Sequence, residues 1–199
     1  MSRVAVRRLL ARAVGFDRPD LAALMRAREI FGSWRRLAEV LKNERLANLL
    51  AYRLATEDAV GDADFKRFLH GQTVDTMAWA LKLRREFEAI RRAMSREGIP
   101  ALPIKGIDLG FAVYPSPAVR PLTDIDILVS PDDYDDAQAV LKDLGYAALK
   151  REPRWWPGRS FYKRGAIVDL HWSPAAALPP RRGMASLCYL SSREEDIKE

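Results

Sequence analysis

The most informative part of the chain is residues 120–129, which read RPLTDIDILV. Acidic and branched apolar residues alternate from Asp124 to Val129, which is typical of a strand with one face in the core. Because side chains two residues apart share a face, Asp124 and Asp126 are predicted to project together. Two carboxylates this close repel each other, and a cation between them removes that cost. The pair is therefore a candidate metal-binding site. The alternative interpretation is that the two acids simply belong to the end of a strand.

A second acidic strand is predicted over residues 166–172, AIVDLHW, with residues 160–163 as its hairpin partner across an Arg164-Gly165 turn. If this strand lies beside the first, Asp169 joins the other two acids. Three carboxylates can hold two magnesium ions about 3.5–4 Å apart, the arrangement used for in-line phosphoryl or nucleotidyl displacement. The segment is also compatible with an edge strand that carries a packed tryptophan.

A third feature, residues 103–108 (PIKGID), falls between a predicted strand and a predicted helix. Gly106 allows a phosphate to approach the backbone, and the helix start offers free amide donors. Lys105 adds a positive charge for a β- or γ-phosphate, and Arg120 adds a fork of donors just before the acidic strand. A Lys-Gly pair after a strand is commonly a plain turn, so the prediction depends on the order of all these elements.

Composition limits the kinds of metal and partner. The 199-residue chain has one cysteine, Cys188, and two histidines, His70 and His171, which excludes an internal disulfide and argues against a cysteine- or histidine-rich zinc site. Carboxylate oxygens favour Mg²⁺ or Mn²⁺ as the cofactor. The net charge of +6 favours phosphate-bearing partners, either nucleotides or nucleic acid.

The sequence contains no uncharged apolar run of membrane-spanning length, and residues 1–10 lack the apolar core and cleavage site of a signal peptide. We therefore expect no membrane partner and a cytoplasmic location. The oligomeric state is left open.

Hydrophobic periodicity predicts an α+β fold, with a helical region over residues 1–98 followed by an α/β domain over residues 99–199. Helices are predicted where apolar residues recur every three or four positions, in 21–27, 33–41, 43–55 and 62–96, with Ser33 and Asn43 as N-caps. After Gly98 the pattern predicts strands at 101–104, 124–129, 146–149, 160–163 and 166–172, and helices at 107–114 and 131–144.

Five motifs together resemble a bacterial family, the uncharacterised nucleotidyltransferases (nucleotidyltransferase family 5) of the DNA polymerase beta-like superfamily. They are LPIKG (102–106), Tyr114, RPLTDIDILV (120–129), LGY (144–146) and VDLHW (168–172). The resemblance implies a mixed sheet whose catalytic metal ligands are Asp124, Asp126 and Asp169. It equates Lys105-Gly106 with the Gly-Ser turn that contacts nucleotide phosphates in the superfamily. His171, two residues beyond the third acid, contacts the substrate or a phosphate, or else supports a metal ligand.

Relatives in this family tend to continue with a C-terminal helical region, which we expect to be short or absent here because the chain ends at Glu199. The resemblance implies an enzyme that moves a nucleoside monophosphate from a nucleoside triphosphate, such as ATP, to a hydroxyl or amine. The acceptor is a small molecule, a protein or an RNA. One alternative is a non-catalytic regulatory or antitoxin-like protein of the same fold, against which the three intact acids argue. Another is a nucleic-acid-binding module, which lacks interleaved aromatic residues.

Overall fold

The structure is a computed structural model that describes residues 3–15, 18–55, 60–149 and 158–173. The segment beyond Ser173, including the expected C-terminal region, lies outside the described residues. The helices are α1 (Arg3–Val14), α2 (Leu21–Phe31), α3 (Trp34–Asn43), α4 (Ala47–Arg53), α5 (Ala63–Arg96), α6 (Lys105–Ala112) and α7 (Tyr134–Asp143), with a short 3-10 helix at Pro117–Val119. The strands are β1 (Leu102–Ile104), β2 (Ile125–Leu128), β3 (Ala147–Ala148), β4 (Gly158–Lys163) and β5 (Ala166–His171).

The described residues form two compact units. The first contains the residues up to Ala80 together with Val113–Leu122, and the second contains Leu81–Ala112 and the residues from Thr123 onward. Helix α5 contributes its first half to one unit and its second half to the other. The division into 1–98 and 99–199 stays a prediction.

In the first unit α3 is close to its predicted bounds, whereas α2 ends later than predicted, at Phe31, and α4 begins later than predicted, at Ala47. Ser33 caps α3 as expected, because its Oγ accepts a hydrogen bond from the amide of Arg36 at 3.2 Å. The prediction that Asn43 caps the next helix is wrong, since Asn43 is the last residue of α3. The chain then turns through Arg45, which has a φ of 58°, and α4 starts at Ala47 without a side-chain cap. Left-handed turns of this kind usually contain glycine. Because an arginine occupies the position here, the sequence pattern does not reveal the turn.

Asn48 is a buried polar residue of the first unit, and only 4% of it is exposed. Its Nδ2 lies 3.0 Å from the Gln72 carbonyl oxygen, 2.9 Å from Thr76 Oγ1 and 2.8 Å from the Ala118 carbonyl oxygen, so its two hydrogens are shared among three acceptors. These bonds tie α4 to α5 and to the 3-10 helix. Because buried polar groups are costly without partners, Asn48 specifies how these three elements meet.

The second unit is built on a five-stranded sheet in the order β1-β2-β5-β4-β3. Strands β2 and β5 are parallel, whereas the other neighbouring pairs are antiparallel. The sheet is therefore mixed, and with a helical N-terminal part before it the predicted α+β class is confirmed.

Burial alternates along most of β5, as predicted, whereas in β2 the polar Asp126 is buried together with Ile125 and Ile127. The apolar side chains on one face are completely buried; they are Ile125, Ile127, Phe161, Val168 and Leu170. Asp126 pairs with Asp169 across β2 and β5, and Asp169 pairs with Ser160 across β5 and β4. Directly paired residues share a face, so these three polar residues form one row on the opposite face.

Two polar contacts connect the second half of α5 to the sheet. The Tyr146 hydroxyl donates to Glu86 Oε2 at 2.8 Å. Burial, and to a smaller extent this hydrogen bond, raises the pKa of Tyr146 well above its usual range. Lys82 Nζ donates to the Arg164 carbonyl at 3.1 Å in the β4–β5 turn. The turn prediction is confirmed, since Arg164 and Gly165 both have positive φ, at 47° and 88°, as a two-residue hairpin turn requires.

Helix α5 is 34 residues long, but charged residues occur along its whole length. Within the described parts of the chain, no helix combines the length and the apolar composition needed to cross a bilayer. The cytoplasmic location stays a prediction.

We predict that Asn48→Ala lowers the free energy of unfolding by about 1–3 kcal/mol, because it removes a buried donor that bonds to α5 and to the 3-10 helix. Urea denaturation measures this change. The matched control is Asn43→Ala at the exposed end of α3, which should change the same quantity by less than about 0.5 kcal/mol. Equal effects of the two substitutions would contradict the role given to Asn48.

Candidate active site

The site begins with two acids that the sheet places side by side. Asp126 in β2 and Asp169 in β5 are direct partners in the parallel register. Adjacent strands lie about 4.8 Å apart, so the two carboxyl groups share one small region of the sheet surface. The side chain of Asp126 is 5% exposed, whereas Asp169 is half-buried.

Two donors converge on one oxygen of Asp126. Lys105 Nζ lies 2.7 Å from Asp126 Oδ1, and His171 Nε2 lies 2.9 Å from the same atom. Burial acts to raise the Asp126 pKa, but the hydrogen bonds and charges of His171 and Lys105 outweigh it and hold this pKa below its usual value. Asp126 is therefore an ionised carboxylate in the folded protein.

Asp169 lacks such compensation. Its Oδ1 is buried and has no hydrogen-bond partner among the described residues. A buried acceptor without a partner is costly, and a cation is one way of satisfying it. Asp126, Asp169 and His171 each offer a ligand atom, and these atoms all lie within 4.8 Å of one another.

Asp124 immediately precedes β2 and is half-buried. Its Oδ1 accepts a hydrogen bond from Thr123 Oγ1 at 2.9 Å. Burial raises its pKa, the Thr123 hydrogen bond opposes this, and the charges of Asp126 and Asp169 raise it further. The carboxyl groups of Asp126 and Asp169 are therefore close enough to affect Asp124, and a local positive charge would relieve all three.

Lys105 and Gly106 form the first turn of α6, directly after β1. Helix α6 thus begins two residues earlier than the sequence predicts. Lys105 has a φ of 54°, a left-handed conformation that costs a non-glycine residue about 1–2 kcal/mol. Gly106 is buried. With this strained backbone conformation, the Lys105 ammonium lies against Asp126. Lys105 thus adds the junction of β1 and α6 to a site that is otherwise built from β2 and β5.

Arg120 belongs to the first unit. Its guanidinium carbon lies 5.8 Å from the centre of the Tyr114 ring, which allows a cation–π contact. The proposed phosphate contact of Arg120 stays a prediction.

Sequence reasoning missed two residues of β4 that lie beside the site. Ser160 is paired with Asp169, and Gly158 is paired with His171. The Arg164-Gly165 turn could have revealed both, since a two-residue hairpin turn pairs Lys163 with Ala166 and thereby fixes every pair further along the two strands.

Comparison with protein families supplies an independent finding. The model of the uncharacterised nucleotidyltransferase family matches residues 32–186, which is most of the chain. The chain belongs to this family. The matched range includes all the acids described above, together with Lys105 and His171. The comparison with curated proteins and the comparison with solved structures each found no match.

A divalent cation fits the residues of this site. The donor set is rich in carboxylate oxygen, which suits Mg²⁺ or Mn²⁺. Asp169 Oδ1 is buried without a partner among the described residues, and neighbouring negative charges raise the Asp124 pKa after the larger effect of burial. Both features are costs that a bound cation would remove.

We predict opposite effects of Asp124→Asn and Asp126→Asn on the stability of the metal-free protein. The raised Asp124 pKa means that ionising this group costs stability as the pH rises through the folded-state value. Asp124→Asn should therefore raise the melting temperature at pH 7 by about 1–3 °C, and the gain should fade towards about pH 4, where aspartates become protonated.

The lowered Asp126 pKa means the reverse, since its ionised form stabilises the fold and this contribution is lost as the pH falls. Asp126→Asn should lower the melting temperature at pH 7. Thermal unfolding at both pH values measures both variants. Shifts of the same sign at pH 7 would contradict this account of the charges.

We further predict that Lys105→Gly is more stable than Lys105→Ala by about 1 kcal/mol, because only the glycine relieves the positive φ. Both variants lose the ammonium group that contacts Asp126, so the difference isolates the backbone. Chemical denaturation of the two variants measures it, and an alanine variant as stable as the glycine variant would argue against backbone strain at this position.

Proposed function

We propose that this protein is a divalent-metal-dependent nucleotidyltransferase. It transfers a nucleoside monophosphate from a nucleoside triphosphate to a hydroxyl or amine group. The observation that carries the proposal is the direct pairing of Asp126 with Asp169 on parallel strands, with Asp124 just before β2. Membership of an uncharacterised nucleotidyltransferase family supports the same reaction class.

Asp124, Asp126 and Asp169 are the proposed metal ligands and the catalytic residues. Bound Mg²⁺ or Mn²⁺ ions would supply Lewis-acid stabilisation of the charge on the triphosphate and on the leaving pyrophosphate. The three carboxylates would orient the reacting groups, because phosphoryl and nucleotidyl transfer depend mainly on positioning and electrostatic stabilisation.

Lys105, Gly106 and Arg120 are the proposed phosphate-binding residues. The side chain of Lys105 is 33% exposed, so its ammonium can turn from Asp126 towards a phosphate at little cost in burial. The first turn of α6 carries backbone amides without helical partners, and buried Gly106 presents no side chain in front of them. Arg120 would add a forked contact.

Asp169 is the proposed base for the acceptor. The acceptor oxygen or nitrogen attacks the α-phosphorus, and the bond from this phosphorus to the pyrophosphate oxygen breaks. The acceptor proton passes to a carboxylate oxygen of Asp169. The nucleotide base and the acceptor class are open to experiment.

We predict that incubation with each labelled nucleoside triphosphate, Mn²⁺ and cell extract transfers label to a small molecule, a protein or an RNA. Asp169→Asn should reduce the transfer by about 100-fold or more, because it removes both a proposed ligand and the proposed base. The matched control is Asp143→Asn at the exposed end of α7, which should retain wild-type transfer.

Thermal unfolding with Mn²⁺ and nucleoside triphosphate provides a second measurement. Ligand that binds the folded state should raise the melting temperature of the wild type and of Asp143→Asn but not of Asp169→Asn. If no nucleotide produces a metal-dependent shift or any label transfer, the enzymatic proposal fails and a non-catalytic protein of this fold is favoured.

A further inference from the structure

We propose that His171 is a positioning residue that fixes the Asp126 carboxylate for the metal, and that Gly158 makes room for its ring. The inference depends on the proposed function, because it takes Asp126 as a metal ligand. It assigns His171 a role distinct from contact with a substrate phosphate.

His171 is too deeply buried to contact a substrate. The residue is 1% exposed, and its Nε2 already lies 2.9 Å from Asp126 Oδ1. Phosphate-binding side chains must present a donor to the ligand, and Nε2 is directed at the carboxylate instead. His171 therefore acts through Asp126.

The other ring nitrogen faces β4. Nδ1 is buried without a hydrogen-bond partner among the described residues. A Cβ added to Gly158 would lie 2.8 Å from this atom and 2.7 Å from the Leu170 carbonyl oxygen. The glycine thus provides the space that the ring occupies, and the backbone of β4 closes the back of the histidine.

These contacts define the tautomer. An ionised carboxylate only accepts hydrogen bonds, so Nε2 carries the hydrogen that it shares with Asp126. Nδ1 then carries no hydrogen in the neutral ring, and it avoids leaving a buried donor without an acceptor. The ring therefore donates through Nε2 to one fixed target, Asp126.

The two donors to Asp126 differ in how easily they can leave. Lys105 is one-third exposed, whereas the His171 side chain is 2% exposed. Both engage Oδ1, which leaves Oδ2 as the oxygen that neither of them binds. Lys105 can give way to an incoming cation, while His171 stays and keeps the carboxylate plane in place. Groups that orient a metal ligand in this way affect metal affinity by about 10–100-fold.

The test compares Mn²⁺ affinities of His171→Gln and His171→Asn by calorimetric titration. The glutamine amide nitrogen is as many bonds from Cβ as histidine Nε2, so it can restore the hydrogen bond to Asp126. The asparagine nitrogen corresponds to Nδ1 and is too short. The packing control is Val168→Ala, which truncates a completely buried side chain of the same strand on its other face.

We expect His171→Asn to weaken Mn²⁺ binding by about tenfold or more, and His171→Gln to stay within about threefold of the wild type. Val168→Ala should lower the melting temperature but leave the Mn²⁺ affinity unchanged. Unchanged affinity in His171→Asn would overturn the proposal. Equal losses in both His171 variants would also overturn it, in favour of direct ligation of the metal by His171.

Nitrogen NMR of the metal-free wild type provides a readout that does not depend on metal binding. We expect a protonated Nε2, with a slowly exchanging proton that is lost in Asp126→Ala. An unprotonated Nε2 would overturn the proposal. If the wild type binds no Mn²⁺, the metal-dependent function fails, and the NMR result still decides whether His171 holds Asp126.

Discussion

The electrostatic repulsion between neighbouring carboxylates is the constraint around which the second unit is arranged. Parallel pairing of β2 with β5 brings Asp126 opposite Asp169, and Asp124 lies two residues before Asp126, just ahead of β2. The protein offsets the charge of Asp126 with Lys105 and His171. It leaves Asp169 Oδ1 without a partner among the described residues. The charge of Asp126 is thus compensated more fully than that of Asp169. The remaining negative potential is concentrated at Asp169.

The strain at Lys105 is easier to understand in this setting. A lysine with positive φ is unfavourable by itself, and it persists because its ammonium is needed beside a buried carboxylate. Gly158 reflects the same demand from the other side of the site, since the close packing of β4 against His171 excludes any side chain there. Local penalties in the backbone are thus balanced by electrostatic gains between elements that are distant in sequence.

Much of the fold could be predicted because its signals are local. The strand around Asp126 and the positive-φ turn at Gly165 each depend on a few consecutive residues, and both predictions are confirmed. The parallel pairing of β2 with β5 has no local signal in the sequence. It therefore enters the prediction of the site only as an assumption, on which the position of Asp169 depends. Asn43 was misread because Arg45, not a glycine, makes the left-handed turn. The apolar residues of α5 likewise recur without interruption around Ala80. The sequence pattern therefore does not show that the helix passes from one unit to the other at this residue.

The site was predicted in part for similar reasons. Residue types and spacing singled out the acids, Lys105 and His171, but they could not tell which atoms would meet. The convergence of Lys105 and His171 on one oxygen of Asp126 arises from the register between three strands and a helix start. Such register is a property of the assembled sheet.

The parallel pairing also has a consequence for the order of folding. Asp126 and His171 are 45 residues apart in the chain, and α7, β3 and β4 all lie between them. Parallel neighbours cannot be joined by a tight turn, and contacts of long sequence separation form slowly because loop closure costs entropy first. The β4–β5 hairpin can form early, whereas the acids meet only when β5 docks on β2. The negative centre therefore forms only once β5 has docked on β2, and a chain in which this pairing has not formed has no such centre with which to capture a cation.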